Sequence, residues 1–203
     1  MLRSADFLHW EPSGGALERS GDLAKHYWAP EIAEHEGVFY MYYSVGSSDE
    51  RHELRVAISE RAEGPYIETG EPVLDPASAP FAIDPSPFQD DDGNWYLFYA
   101  RDFLDANHQF RPGTALVVSP LKDMRRISAE FTTVMRARHD WQRYEANRPI
   151  HGGIFDWHTL EGPFVVKHGG RYYCLYSGGN WHDETYGIDF VVADSVHGPW
   201  TAK

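Results

Sequence analysis

The chain has 203 residues, 15% of them aromatic, and 31 acidic against 18 basic side chains give a formal net charge of −13. That charge excludes a nucleic-acid backbone or an anionic membrane surface as the main partner, because both need a basic footprint. The single cysteine, Cys174, excludes an intrachain disulfide, and no apolar run approaches the length of a membrane helix.

The opening residues Met1-Leu2-Arg3-Ser4-Ala5-Asp6 lack the apolar stretch of a secretion signal. A cytoplasmic location is the default expectation, provisional on what is encoded upstream. Ser4 through Trp10 resembles the second half of a later repeat unit with no first half before it. Residues 1–20 are therefore read as the end of one unit. Residues 21–75 hold the next. Trp28-Ala29-Pro30-Glu31-Ile32 leads to a turn at Glu36-Gly37 and the run Val38-Phe39-Tyr40-Met41-Tyr42-Tyr43. Val56-Ala57-Ile58-Ser59 follows and ends at Gly64-Pro65-Tyr66.

Residues 76–150 repeat the plan. Asp84-Pro85-Ser86-Pro87-Phe88 precedes Gly93 and Trp95-Tyr96-Leu97-Phe98-Tyr99, then Leu116-Val117-Val118-Ser119. Asp90-Asp91-Asp92-Gly93-Asn94 is read as a solvated hairpin tip. As a calcium loop its glycine is misplaced, and Arg101 stands where the last ligand belongs. From about Met124 to His158 the pattern is irregular and locally basic, with Arg125, Arg126, Arg136, Arg138, Arg143 and Arg148. It is read as the end of a unit plus an insertion. His151, Asp156 and His158 match no standard zinc spacing. No phosphate-binding or dinucleotide motif occurs, so neither a metal nor a cofactor is expected.

Residues 151–203 form the last unit. Glu161-Gly162-Pro163-Phe164 precedes Gly169-Gly170 and Arg171-Tyr172-Tyr173-Cys174-Leu175-Tyr176. Val192-Ala193-Asp194-Ser195 then ends at Gly198-Pro199-Trp200. Cys174 within its strand reads as a small buried hydrophobe.

Trp28, Asp84 and Glu161 each lie nine residues before the turn glycines Gly37, Gly93 and Gly170. Counted this way, they occupy one position of a repeat, and equivalent positions map to equivalent places in space. Short runs of Tyr, Phe and Val between glycine turns, without helical periodicity, predict antiparallel strands. The expected fold is all-β: a single β-propeller domain of about three complete four-stranded blades plus part of a preceding one. Three blades do not close a ring, since propellers have about four to eight. In such blades the inner strand starts on one face and the second strand returns to it. That places Arg101 and Trp181 beside Asp84 and Glu161, with Trp28 in the blade before. Trp157 and His158 immediately precede Glu161 and are further candidate lining residues. Paired carboxylates among aromatic walls suit a sugar, which stacks on rings and is cleaved with acid and base assistance.

Trp28-Ala29-Pro30-Glu31-Ile32, Ile83-Asp84-Pro85-Ser86-Pro87-Phe88 and Leu160-Glu161-Gly162-Pro163-Phe164 together resemble glycoside hydrolase family 43. The resemblance covers nearly all of the chain. It implies a five-bladed propeller, here lacking parts at both ends, that hydrolyses arabinofuranosyl or xylosyl linkages by inversion. It implies Glu161 as general acid and Asp84 as the carboxylate that orients that acid and tunes its pKa. It also implies an aspartate base on a first inner strand, which this sequence does not contain. Two other readings stay open: a non-catalytic carbohydrate-binding propeller, with Trp28 and Trp181 as platforms, and an interaction scaffold.

Overall fold

The computed structural model describes residues 1–18, 26–107 and 109–202. Among the described residues the regular structure is β apart from one 3₁₀ turn (Asp140–Gln142), and it forms three large sheets. A short ribbon pairs β1 (Leu2–Arg3) with β2 (Glu11–Pro12). The first large sheet runs β3 (Leu17–Glu18), β7 (Tyr66–Pro72), β6 (Arg51–Ser59), β5 (Val38–Ser48) and β4 (His26–His35). Its β3 lies parallel to β7; the rest is antiparallel. The second is centred on β8 (Ala82–Gln89), β9 (Trp95–Phe103) and β10 (Gly113–Asp123), with β11 (Arg126–Ile127) and β12 (Thr132–Met135) both pairing β10. A hairpin of β13 (Arg143–Ile150) and β14 (Gly153–His158) extends it through one parallel pair, Gly113 with His158. The third is a meander of β15 (Leu160–His168), β16 (Arg171–Gly178), β17 (Gly187–Ala193) and β18 (Thr201–Ala202). β4, β8 and β15 are the inner strands of three blades, and β8 packs against both others.

Strand chemistry sets these layers. In β16 the alternation Tyr172, Cys174, Tyr176 inward and Arg171, Leu175 outward is the period of two of a one-sided strand. In the middle blade, Leu97, Phe98, Tyr99 and Ala100 are all fully buried. A sheet covered on both faces has no polar side to alternate with. Leu97 and Tyr99 join Tyr42 and Leu54 in the core shared with the first blade. Phe98 and Ala100 join Cys174 and Tyr176 in the core shared with the third. Burial pushes the Cys174 thiol up to about 12, so it packs as an inert hydrophobe.

All three inner strands carry the same irregularity. Register slips by one residue between Trp28 and Glu31, between Ile83 and Ser86, and between Glu161 and Phe164. At each slip one residue is left-handed: Ala29 (φ 47), Asp84 (φ 54) and Gly162 (φ 59), each followed by proline. These are β-bulges, which bend a strand and re-aim its side chains.

The bulges overturn the register counted from the glycines. Asp84 is equivalent to Ala29 and Gly162, while Glu161 is equivalent to Ile83 and Trp28. The cause is turn length. Glu36-Gly37 and Gly169-Gly170 are two-residue turns. In the middle blade the Asp90 N–H instead bonds the Asn94 carbonyl across three residues. The added residue shifts a count from Gly93 by one.

Candidate functional site

The one-residue offset divides the axis into two adjoining layers. Trp28, Ile83 and Glu161, the three equivalent residues before the bulges, line one cavity of about 90 Å³. Trp157 and Trp181 share its wall, with Asp49, Asp102, Tyr144 and Arg148. Ala29, Asp84 and Gly162 line the cavity below, with Glu31 and the prolines.

The two carboxyl groups are joined through the backbone. Asp84 Oδ2 accepts the N–H of Gly162, the residue after Glu161, at 2.9 Å. The Tyr186 hydroxyl donates to Glu161 Oε1 at 2.6 Å. Burial, then the Glu161 charge, push Asp84 up to about 7, against the pull of the Gly162 N–H. Burial also raises Glu161, opposed by the Tyr186 bond. Both side chains are half-buried, and the Glu161 charge acts on Asp84, so the titration of one depends on the other. Together they retain a proton well above the ordinary carboxylate range. Glu31 sits in the lower cavity beside Asp84 and is likewise raised by burial, with the Ser86 hydroxyl as partner.

Trp28 is a backed platform. The His52 ring stacks on it at 3.8 Å and 20°, and the Phe81 edge closes the far side at 5.5 Å. His52 is 1% exposed, and neither ring nitrogen has a hydrogen-bond partner among the described residues. Burial holds it down to about 4, so the imidazole is neutral at pH 7. Gly46 makes room for it, because a Cβ there would collide with the imidazole. Trp181, by contrast, is 61% exposed at the rim and stacks on His182 at 3.5 Å.

Two of the sequence candidates point elsewhere. Arg101 Nη2 donates to the Ser78 carbonyl at 2.7 Å, and its guanidinium lies 4.6 Å from the Phe131 ring. It ties the blade rim together outside the cavity. His158 is buried, donates from Nδ1 to the Asp156 carbonyl and accepts Arg111 Nη1 at Nε2. Burial lowers its pKa, which fixes it as a neutral packing residue. Sequence reasoning missed Tyr186, His52 and Glu31. Tyr186 and His52 come from distant turns and strands. Glu31 stands inside the Trp28 motif and carried a readable signal, a carboxylate one residue past a proline.

The arrangement offers carboxyls that burial holds protonated above their ordinary range, beside stacking surfaces in a small cavity, a chemistry suited to protonating a leaving oxygen on a ring. The sequence profile described as glycosyl hydrolases family 43 matches residues 1–203. A xylosidase/arabinosidase of Bacteroides ovatus is 24% identical over 185 residues, covering 86% of this chain and 54% of the relative. A β-D-galactofuranosidase of Aspergillus niger is 29% identical over 188 residues, covering 86% and 46%. The chain thus spans about half the length of the curated relatives it matches. A crystal structure of a thermostable family-43 glycoside hydrolase superposes with a TM-score of 0.79 at 27% identity, over 100% of this chain and 63% of the other. The blades described above are three blades of that five-bladed architecture, and the chain belongs to glycosyl hydrolase family 43.

Proposed function

We propose that the protein hydrolyses xylosyl or arabinofuranosyl linkages with inversion, using Glu161 as the general acid. The observation that carries this reading is the coupled pair. Glu161 stands in the wall of a tryptophan-lined cavity, and Asp84 holds the next peptide N–H. Glu161 gives its proton to the glycosidic oxygen as the C–O bond breaks. Asp84 orients Glu161 through Gly162, and its proximity keeps a proton on the pair near neutrality. Trp28 and Trp181 stack the sugar ring, and Trp157 closes the wall behind it. Xylose and arabinose are the sugars for which several relatives are named.

In an inverting reaction water attacks from the opposite face, activated by a carboxylate roughly 6.5–9.5 Å from the acid. The resemblance puts that base on an inner strand outside these 203 residues. The isolated chain is accordingly expected to bind sugars and turn them over weakly or not at all. The test compares wild type with Glu161→Gln on xylobiose and arabinobiose. Removing a general acid costs about 10²–10⁴-fold. Hydrolysis that survives Glu161→Gln unchanged overturns the assignment.

A further inference from the structure

One rim of the cavity is built by the β13–β14 hairpin, which lies outside the four-strand plan of a blade. It turns at His151-Gly152, both left-handed (φ 50 and 72). It approaches the second blade at Gly113, where any side chain would strike the His158 backbone. Three contacts fasten its tip to other elements. Arg148 Nη2 donates to Asp49 Oδ2 at 2.5 Å, and the His151 N–H donates to Glu50 Oε1 at 2.8 Å. His151 Nε2 meets Asp102 Oδ2 at 2.7 Å, while Thr114 donates to the other oxygen of Asp102 at 3.1 Å. Asp49 and Glu50 are the tip of the first blade's β5–β6 turn. The hairpin therefore reaches from the second blade to the first along one rim of the cavity.

The inner side of this bridge carries chemistry. Arg148 is only 14% exposed, with Nε 3.5 Å from Glu145 and the Tyr144 ring 4.7 Å from its guanidinium. It lines the same cavity as Glu161. A guanidinium has five N–H donors in a rigid fork. Nη2 and Nε face carboxylates, and Nη1 makes no hydrogen bond among the described residues. A donor in the wall of the cavity that holds Glu161 is placed to read hydroxyl groups.

We infer that the fastened hairpin is a chain-end stop and that Arg148 is its specificity-determining residue. The cavity takes the terminal sugar of a chain, Arg148 donates to its hydroxyls, and an internal sugar is rejected. A continuing chain on that side would have to pass where the Arg148–Asp49 pair bridges hairpin and turn. The inference rests on reading the cavity as a glycosidase site, and it adds the mode of cleavage: release of terminal units.

Calorimetric titration of the 203-residue protein with xylotriose and arabinotriose tests it. Each sugar is compared with a form O-methylated on the hydroxyl of its non-reducing end that would carry the next unit. The expected result is binding of one free-ended trisaccharide and at least tenfold weaker binding of its capped form. Arg148→Met is expected to weaken the free-ended sugar by about tenfold or more, as for loss of one charge-assisted hydrogen bond, and to narrow the gap. Equal binding of free and capped sugars by wild type overturns the chain-end stop and leaves the glycosidase reading standing. Binding of neither removes the glycosidase reading and the stop with it. The wild-type comparison needs no variant to fold.

Discussion

Asp84 Oδ2 accepts the peptide N–H of Gly162 at 2.9 Å, which ties the middle blade's bulge to the residue following Glu161 in the next blade. The two carboxyls sit one residue apart in the repeat, so they occupy successive layers of the axis. One faces the cavity, and the other holds its backbone from below. That offset makes their roles asymmetric.

The pair should cost stability as pH rises. The folded pKa of Asp84 is raised to about 7 from an ordinary value near 4. The folded state therefore holds a proton that the unfolded state has released, and stability falls between about pH 4 and pH 7. Asp84→Asn removes this and still accepts from Gly162. It is expected to raise stability at pH 8 by about 1–3 kcal/mol while lowering any residual turnover. Denaturant melts at pH 4 and pH 8 check this, and a variant less stable than wild type at pH 8 contradicts it.

Tyr186 pulls Glu161 downward through its 2.6 Å bond. Tyr186→Phe is expected to let Glu161 rise further. The alkaline limb of any pH–rate profile would move to higher pH, with a modest loss of rate. A shift to lower pH would contradict the assigned direction.

His151 is raised above its ordinary value, first by its bond to Asp102. Its contribution is present below about pH 6.5 and is lost as pH rises through the raised value. Glu50, Asp102 and Arg148 all face it, the carboxylates favouring its charge and the arginine opposing it. Amide exchange in residues 143–158, corrected for the intrinsic pH effect, should quicken relative to β9 between pH 6 and pH 9. Unchanged relative protection would separate the hairpin from this titration.

Arg101 ties the Ser78 carbonyl to the Phe131 ring. Arg101→Ala is expected to cost about 1–2 kcal/mol of stability and to leave sugar affinity within twofold. A large loss of affinity at unchanged stability would return Arg101 to the site.

The blades were legible because glycine turns and aromatic runs are local chemistry, and each unit repeats them. The carboxylates of the candidate site were legible as residues but not in register. Counting from Gly93 hides the longer Asp90–Asn94 turn, whereas the prolines Pro30, Pro85 and Pro163 mark the true equivalence. His52 and Tyr186 were not legible. Their importance lies in what they stack on or bond, across 24 and 25 residues of sequence. Arg101 was expected from the return of the second strand and His158 from its nearness to Glu161, yet the one bonds a rim carbonyl and the other the Arg111 guanidinium.

The most direct test is a carboxyl titration of the isolated chain by ¹³C NMR, which needs no turnover. One Asp or Glu carboxyl transition near pH 7 is expected, and it vanishes or moves in both Asp84→Asn and Glu161→Gln. Complete titration of both carboxyls below pH 5 would contradict a proton held at the site toward neutrality.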